Sequence, residues 1–273
     1  MDLTSANKKI IDFQQLITEK KKKDYKGNLK VGIDLGTANI VVAVLDENNQ
    51  AVAGASQSAS VVRDGLVVDY VEAVRIVQNL KQQVETILGE EIIKAATALP
   101  PGTLGGNSKA MVNVIESAEV EVINVIDEPT AAASILGIQD GAVVDVGGGT
   151  TGISILKNGE VTYTADEATG GTHMSLVLAG NYKITFEEAE ILKKDVTRHR
   201  EVFVVIKPVI EKMASIVKRH IEGHGVEKVY LVGGASCIKG FEDVFEKELG
   251  IEVYKPKNPL LVTPLGIALN CQG

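Results

Sequence analysis

Apolar residues near the start of the chain recur with the period of a helix. Leu3, Ala6, Ile10, Phe13 and Ile17 follow one another at intervals of three or four, which places them on one face of an amphipathic helix. Two roles are open for this face. It either packs on the chain's own domain, or it binds a partner and targets the protein to it.

After residue 28 the pattern changes to short apolar runs, which predict strands, alternating with stretches of helical spacing. The predicted strands cover residues 30–35, 40–45, 94–99, 121–126, 142–146, 153–157, 160–164 and 228–232. The predicted helices cover residues 71–88, 107–117, 186–194, 201–223 and 239–249, and a further helix opens at Glu128 and Pro129. A hairpin followed by alternating helices and strands occurs twice, which indicates an imperfect duplication within an α/β protein.

Composition narrows the class of protein. The chain has 273 residues, 45% of them hydrophobic, and a net charge of -8, which disfavours nucleic acid as a partner because phosphate would be repelled. No apolar run approaches the roughly 20 residues of a membrane span, and the charged N-terminal residues do not resemble a secretion signal. Cys237 and Cys271 have no metal-ligand spacing. We therefore expect a reduced, cytoplasmic protein.

Residues 147–152 read GGGTTG and fit the dinucleotide fingerprint G-x-G-x-x-G. That fingerprint requires a helix directly after the glycines. Here an alternating run follows, and Asn158 and Gly159 then form the two-residue turn of a hairpin. Neither glycine turn of the chain carries the Gly-Lys-Ser/Thr of a Walker loop. The sequence therefore predicts neither a nicotinamide cofactor nor a Walker-type site.

Two apolar strands end in the same way, with an aspartate followed by a glycine turn. Asp34 precedes Gly36 and Thr37, and Asp145 precedes the glycines that begin at Gly147. Glycine lets backbone amides approach a phosphate closely, whereas an aspartate repels phosphate unless a divalent cation lies between them. One such turn commonly marks only a hairpin. Two matching copies predict a clamp on Mg²⁺ and a nucleoside triphosphate.

Five motifs, in order, resemble those of the actin–Hsp70–sugar-kinase ATPase superfamily. They are IDLGTANIVVAV, VINVIDEPTAAASILG, AVVDVGGGTTGISIL, VYLVGGASCIKGF and TPLGIALN. The resemblance implies a duplicated actin-like, ribonuclease H-like fold, with two lobes around a nucleotide cleft. Domain I would hold residues 29–140 and the C-terminal helix at 263–273, domain II would hold residues 141–262, and residues 1–28 would form the N-terminal amphipathic segment.

Further segments resemble the chaperone-like EutJ family of ethanolamine-utilisation operons. They include VVRDGLVVDY, ALPPGT, DEATGGTHMSLVLAGN and KPVIEKMASIVKRHIEGHG. This resemblance implies an Hsp70-like protein associated with a bacterial microcompartment, with ethanolamine ammonia-lyase or shell proteins as partners. It implies ATP or ADP and Mg²⁺ as ligands, and slow hydrolysis.

The superfamily resemblance also assigns roles to residues. Asp34 and Asp145 would organise Mg²⁺ through water, and Glu128 would orient the attacking water. The remaining residues would bind the nucleotide: Gly36, Thr37, Ala38, Gly147, Gly148, Gly149, Thr150, Gly170, Gly171, Glu190, Lys193, Lys194, Gly233, Gly234 and Ala235. Three departures weaken the match: Asn39 replaces a hydroxyl residue, Ser175 an aspartate, and Cys237 the arginine that covers adenine.

Other functions stay open at this point. An ATP-dependent actin-like filament and a nucleotide-sensing scaffold without hydrolysis are alternatives to the chaperone-like ATPase. A sugar or acid kinase would need a substrate motif that the sequence does not show. His220 and His224 stand four apart but lack the HExxH order; we expect a solvated helix end there. Gly266, with the alanines at 131–133, predicts a close crossing of two connecting helices.

Overall fold

In the described part of the chain, the fold has two five-stranded sheets and one short two-stranded sheet, with helices around them. The computed structural model describes residues 3–63, 66–101 and 108–272. The helices are α1 (Thr4–Glu19), α2 (Tyr70–Leu88), α3 (Ser108–Glu116), α4 (Glu128–Leu136), α5 (Gly171–Tyr182), α6 (Phe186–Lys194), α7 (His199–Ile221), α8 (Phe241–Leu249) and α9 (Val262–Leu269). The strands are β1 (Lys30–Leu35), β2 (Asn39–Leu45), β3 (Ala51–Ser58), β4 (Val62–Arg63), β5 (Leu66–Val67), β6 (Lys94–Leu99), β7 (Glu121–Asp127), β8 (Gly141–Val146), β9 (Thr151–Lys157), β10 (Glu160–Glu167), β11 (Lys228–Val232) and β12 (Glu252–Tyr254).

The two large sheets have the same topology. Their strand orders are β3-β2-β1-β6-β7 and β10-β9-β8-β11-β12. In each sheet the first three strands pair antiparallel, and the last two pair parallel to the first strand or to each other. The predicted internal duplication is therefore confirmed. Asp34 and Asp145 are each the fifth residue of the first strand of their sheet.

The sequence patterns did not predict several of the observed strands and helices. The third strand, β3, reads AVAGASQS, and its small residues have low strand propensity. Helix α5 has apolar residues on several sides; Leu176 and Val177 are exposed while Met174 and Leu178 are fully buried. Three short strands were also missed: β12 has three residues, and β4 and β5 have two each. In the predicted helix at 107–117, Asn107 lies outside the described residues, as do Gly102 and Thr103 of ALPPGT.

The apolar face of α1 packs within the chain. Ile10 and Phe13 are fully buried in a cluster with strands of the first sheet and with α9. Phe13 lies over Gly54 of β3, where an added Cβ would be 2.3 Å from the ring atom Cε2. The first of the two roles, packing of this apolar face on the chain's own domain, is thus confirmed for these residues. The face is therefore covered.

Replacing Phe13 by alanine is expected to lower the free energy of unfolding by about 3–5 kcal/mol, because a buried ring leaves a cavity. Urea denaturation followed by circular dichroism measures the change. The matched control is Ile11→Ala on the same helix, since Ile11 is 48% exposed. Equal losses in the two variants would contradict the packing described for Phe13.

Two helices connect the halves of the molecule and cross each other. A Cβ on Gly266 of α9 would lie 1.9 Å from the Ala131 carbonyl oxygen of α4, so the backbones touch at this point. The predicted close crossing is confirmed. Helix α9 also packs on β1, since a Cβ on Gly32 would lie 2.4 Å from the Ala268 nitrogen. Across the described chain, no helix combines the length and apolarity needed to span a membrane.

Candidate functional site

The two glycine turns predicted from the sequence face each other across a cleft. A Cβ on Gly148 would lie 3.1 Å from the Thr37 side chain, so the turns of the two sheets nearly touch. The cleft holds a cavity of about 690 Å³. All predicted site residues line this cavity except Gly149 and Gly170. Topology thus brings together residues from both halves of the chain.

Backbone hydrogen bonds fix the second turn. Gly147 N–H donates to the Thr150 carbonyl at 2.9 Å, and Gly171 N–H donates back to the Gly147 carbonyl at 2.9 Å. Gly170 lies behind the turn, because an added Cβ would be 2.6 Å from the Gly148 carbonyl oxygen. Gly170 therefore supports the turn from behind. The first turn is equally tight, since a Cβ on Gly36 would lie 2.8 Å from the Asn39 carbonyl oxygen.

Three carboxyl groups converge on the cleft with raised pKa values. Burial, followed by the charge of Asp145, raises the pKa of Asp34 to about 7. Burial raises the pKa of Asp145 to about 6, against the opposing effect of a hydrogen bond from Thr263. Burial, followed by the charges of Asp145 and Asp34, raises the pKa of Glu128 well above its usual range. Repulsion among desolvated acids favours either protons or a cation between them.

Local structure explains where these acids stand. Asp34 and Asp145 are each the last but one residue of a strand, and Glu128 is the first residue of α4, directly after β7. The neighbouring Asp127 caps α4, since its Oδ1 accepts the Thr130 N–H at 2.9 Å. Asp127 thereby fixes the start of the helix and leaves Glu128 on the cleft side. In the described chain, no three His, Cys, Asp or Glu side chains form a direct metal-ligand cluster.

Lys193 is tied into a buried network beside the second turn. Its Nζ donates to the Gly171 carbonyl at 3.0 Å, to Ser175 Oγ at 2.8 Å and to Glu190 Oε1 at 2.5 Å. Ser175 also bonds to Glu190. Burial lowers the pKa of Lys193. Burial raises the pKa of Glu190, but the charge of Lys193 and the hydrogen bonds from Lys193 and Ser175 together lower it below its usual value. Lys193 thus stabilises this side of the site through its hydrogen bonds. The more exposed Lys194 side chain faces the cavity.

The other end of the cleft is formed by the turn after β11. Gly233 has φ +85° and donates its N–H to the Pro259 carbonyl at 3.1 Å. Cys237 lines the cavity, and its Sγ donates to Asn258 Oδ1 at 3.7 Å. Burial raises the pKa of the Cys237 thiol.

Sequence reasoning missed Thr263. Its Oγ1 donates to Asp145 Oδ2 at 2.6 Å, and both residues are buried. A single hydroxyl within the apolar run of α9 was the available signal, but nothing in the sequence places it beside an acid 118 positions earlier.

The histidine pair needs a correction. His220 is part-buried and bonded at both ring nitrogens: Tyr163 Oη lies 2.7 Å from Nδ1, and Glu167 Oε1 lies 2.6 Å from Nε2. The expectation of a solvated helix end is therefore wrong for His220, because strand β10 packs against the end of α7. Helix α7 ends at Ile221. The His173 side chain contacts the start of its own helix, α5, where its Nδ1 accepts the Gly170 N–H at 3.4 Å.

Comparisons with known proteins agree with this geometry. The model of the family described as type IV pilus assembly protein PilM matches residues 112–259. The ethanolamine utilization protein EutJ of Salmonella typhimurium is 48% identical over 241 residues, covering 88% of this chain and 85% of that protein. The crystal structure of EutJ from Carboxydothermus hydrogenoformans is 52% identical, with a TM-score of 0.93 over 98% of this chain and 99% of that one.

A more distant structure shares only the fold. The crystal structure of MreB 5 of Spiroplasma citri, bound to AMPPNP, is 17% identical, with a TM-score of 0.70 over 89% of this chain and 96% of that one. The duplicated sheets and the cleft between them are thus those of the actin-like ATPases.

Proposed function

This chain belongs to the EutJ family of ethanolamine utilization proteins, and from that premise we propose that its cleft binds ATP or ADP together with Mg²⁺. One observation carries the proposal: Asp34 and Asp145 occupy equivalent strand ends of two duplicated sheets, each beside a glycine turn that lines one cavity. MreB 5 of Spiroplasma citri, which has the same fold, is bound to AMPPNP in its structure.

The residues present fit both groups. The turns at Gly36 and Gly147 offer backbone amides without side-chain obstruction, which suits phosphate. Three desolvated acids without a direct ligand cluster suit a hydrated divalent cation, whose positive charge would relieve their repulsion. Mg²⁺ would neutralise phosphate charge when bound, and Asp34 and Asp145 would hold its waters.

Glu128 supports a proposal of slow hydrolysis. It lines the cleft at the start of α4, and its raised pKa suits a group that accepts a proton from water near neutral pH. Glu128 would therefore orient and deprotonate the attacking water, while the glycine turns hold the phosphates.

The packing of the connecting helices supports the proposed domain bounds. Helix α9 lies on β1 of the first sheet, so domain I would comprise residues 29–140 with 263–273. Domain II would comprise residues 141–262. The N-terminal segment at 1–28 would be an accessory to domain I, because α1 packs on β3.

Family membership supports a role in ethanolamine utilisation. We propose a chaperone-like action on ethanolamine ammonia-lyase or on shell proteins of the bacterial microcompartment, in the cytoplasm or at the microcompartment itself. The nucleotide state of the cleft would control that action by changing the angle between the lobes.

Isothermal titration calorimetry with ATP and ADP, with and without Mg²⁺, tests the nucleotide proposal. We expect Mg²⁺-dependent binding that Asp34→Ala and Asp145→Ala reduce by at least about 100-fold, because each removes a charged group from a desolvated site. Asp24→Ala is the matched control, since Asp24 is exposed and is not among the residues that line the cavity. Absence of binding in the unmodified protein would overturn the proposal.

Two further assays separate the alternatives. Phosphate release measured on the same protein distinguishes an ATPase from a nucleotide-sensing scaffold, which would bind without turnover. Sedimentation with ATP distinguishes an actin-like filament, which alone would pellet.

A further inference from the structure

The carboxylate of Asp145 is fixed on two sides. On one side, Thr263 Oγ1 donates to Oδ2 at 2.6 Å, and the two residues are 4% and 6% exposed. On the other side, Oδ1 lies against Gly233, where an added Cβ would be 2.2 Å away. Any side chain at Gly233 would push the carboxylate out of this position. These two contacts hold the Asp145 carboxylate in the observed orientation, and Thr263 supplies the hydrogen bond.

Thr263 belongs to a helix that packs on the opposite half of the molecule. Helix α9 contacts β1 where a Cβ on Gly32 would lie 2.4 Å from the Ala268 nitrogen. Asp145, in contrast, lies in β8 of the second sheet. The bond from Thr263 to Asp145 thus joins the first sheet to an acid of the second.

The residues that precede Thr263 also contact the cleft. The Pro259 carbonyl accepts the Gly233 N–H at 3.1 Å, and a Cβ on Gly234 would lie 3.2 Å from the Leu260 Cδ1 atom. One segment, residues 259–263, therefore touches both the glycine pair after β11 and Asp145. Movement of α9 relative to the second sheet would disturb both contacts together.

We propose that Thr263 is a positioning residue, whose hydroxyl orients Asp145 for a hydrated divalent cation and ties that orientation to the relative position of the two lobes. This inference rests on the proposed binding of nucleotide with Mg²⁺. A threonine serves here because its hydroxyl donates to the carboxylate from a buried position.

Calorimetric titration of ADP in Mg²⁺ and in EDTA tests the inference on the full chain. Thr263→Val keeps the shape and removes the donor, and we expect the Mg²⁺-dependent affinity to fall by about 10-fold or more, since hydrogen bonds to charged groups are strong. Affinity in EDTA should change by less than about twofold, because the nucleoside contacts remain. Thr263→Ser keeps the donor, so its Mg²⁺-dependent affinity should stay within about threefold of the unmodified value.

Three results would overturn the inference. They are an unchanged Mg²⁺ dependence in Thr263→Val, an equal loss in Mg²⁺ and EDTA, and a Thr263→Ser variant as weak as Thr263→Val. If circular dichroism shows Thr263→Val to be unfolded, Thr263→Ala takes its place in the comparison with Thr263→Ser. Failure of the unmodified protein to bind ADP with Mg²⁺ would instead remove the proposed function, and this is visible before any variant is measured.

Discussion

Replacing Asp34 by asparagine is expected to stabilise the ligand-free protein at pH 8 by about 2–4 kcal/mol and to abolish its stabilisation by ATP with Mg²⁺. Burial and the charge of Asp145 raise the pKa of Asp34 from 3.8 to about 7. The unfolded chain therefore releases this proton at lower pH than the folded chain. Stability contributed by Asp34 is present at low pH and is lost as pH rises from about 4 through 7.

Urea denaturation at pH 5 and pH 8, with and without ATP and Mg²⁺, measures both effects. The gain from Asp34→Asn should at least halve at pH 5, where most of the charge is absent from the folded unmodified protein. Asp24→Asn is the control, because Asp24 is exposed; its effect should stay within about 0.5 kcal/mol. An Asp34→Asn variant no more stable than the unmodified protein at pH 8 would contradict the desolvated site described here.

Replacing Gly266 by alanine is expected to lower the free energy of unfolding by about 3 kcal/mol or more, despite the higher helix propensity of alanine. The added Cβ would lie 1.9 Å from the Ala131 carbonyl oxygen and 2.4 Å from its carbonyl carbon. These are backbone atoms of α4, so α4 and α9 must move apart. Because α9 carries Thr263, nucleotide affinity should fall with stability.

Gly180→Ala provides the matched control for this substitution. Gly180 also lies within a helix, α5, but a Cβ there meets nothing within 4 Å. The same chemical change should therefore be neutral or stabilising by up to about 1 kcal/mol. Thermal and urea denaturation compare the two variants. Equal effects would show that the crossing of α4 and α9 tolerates a methyl group and would contradict the contact.

Elements with a strong local pattern were predicted residue for residue. The bounds of β1, β6 and β11 agree with the predicted strands, because each is a short, mostly apolar segment that is followed directly by glycine or proline. The strand β3 was missed because its alanines, glycine and serines carry no such pattern; it is held by pairing to β2 and by α1 above Gly54. Tertiary contacts therefore stabilise this strand, although the strand propensity of its residues is low.

The charged residues beside the cleft show the same difference between what the sequence predicts and what tertiary contacts add. Glu190, Lys193 and Lys194 were predicted to reach a nucleotide, and all three line the cavity. The structure adds that the Lys193 ammonium group is already hydrogen-bonded to Gly171, Ser175 and Glu190. Sequence spacing could place these residues on α6 but could not show which ammonium group was already bonded.

By itself, the sequence determined the duplicated order of strands and helices, the two aspartates at strand ends and the glycine turns beside them. Each of these depends on neighbours within a few residues, where spacing and side-chain size govern the backbone. Only the tertiary structure decided which acids lose water, and therefore which pKa values rise. It also decided that Phe13 covers Gly54 and that Thr263 reaches Asp145, because burial and contacts between distant segments arise only when the sheets and connecting helices pack together.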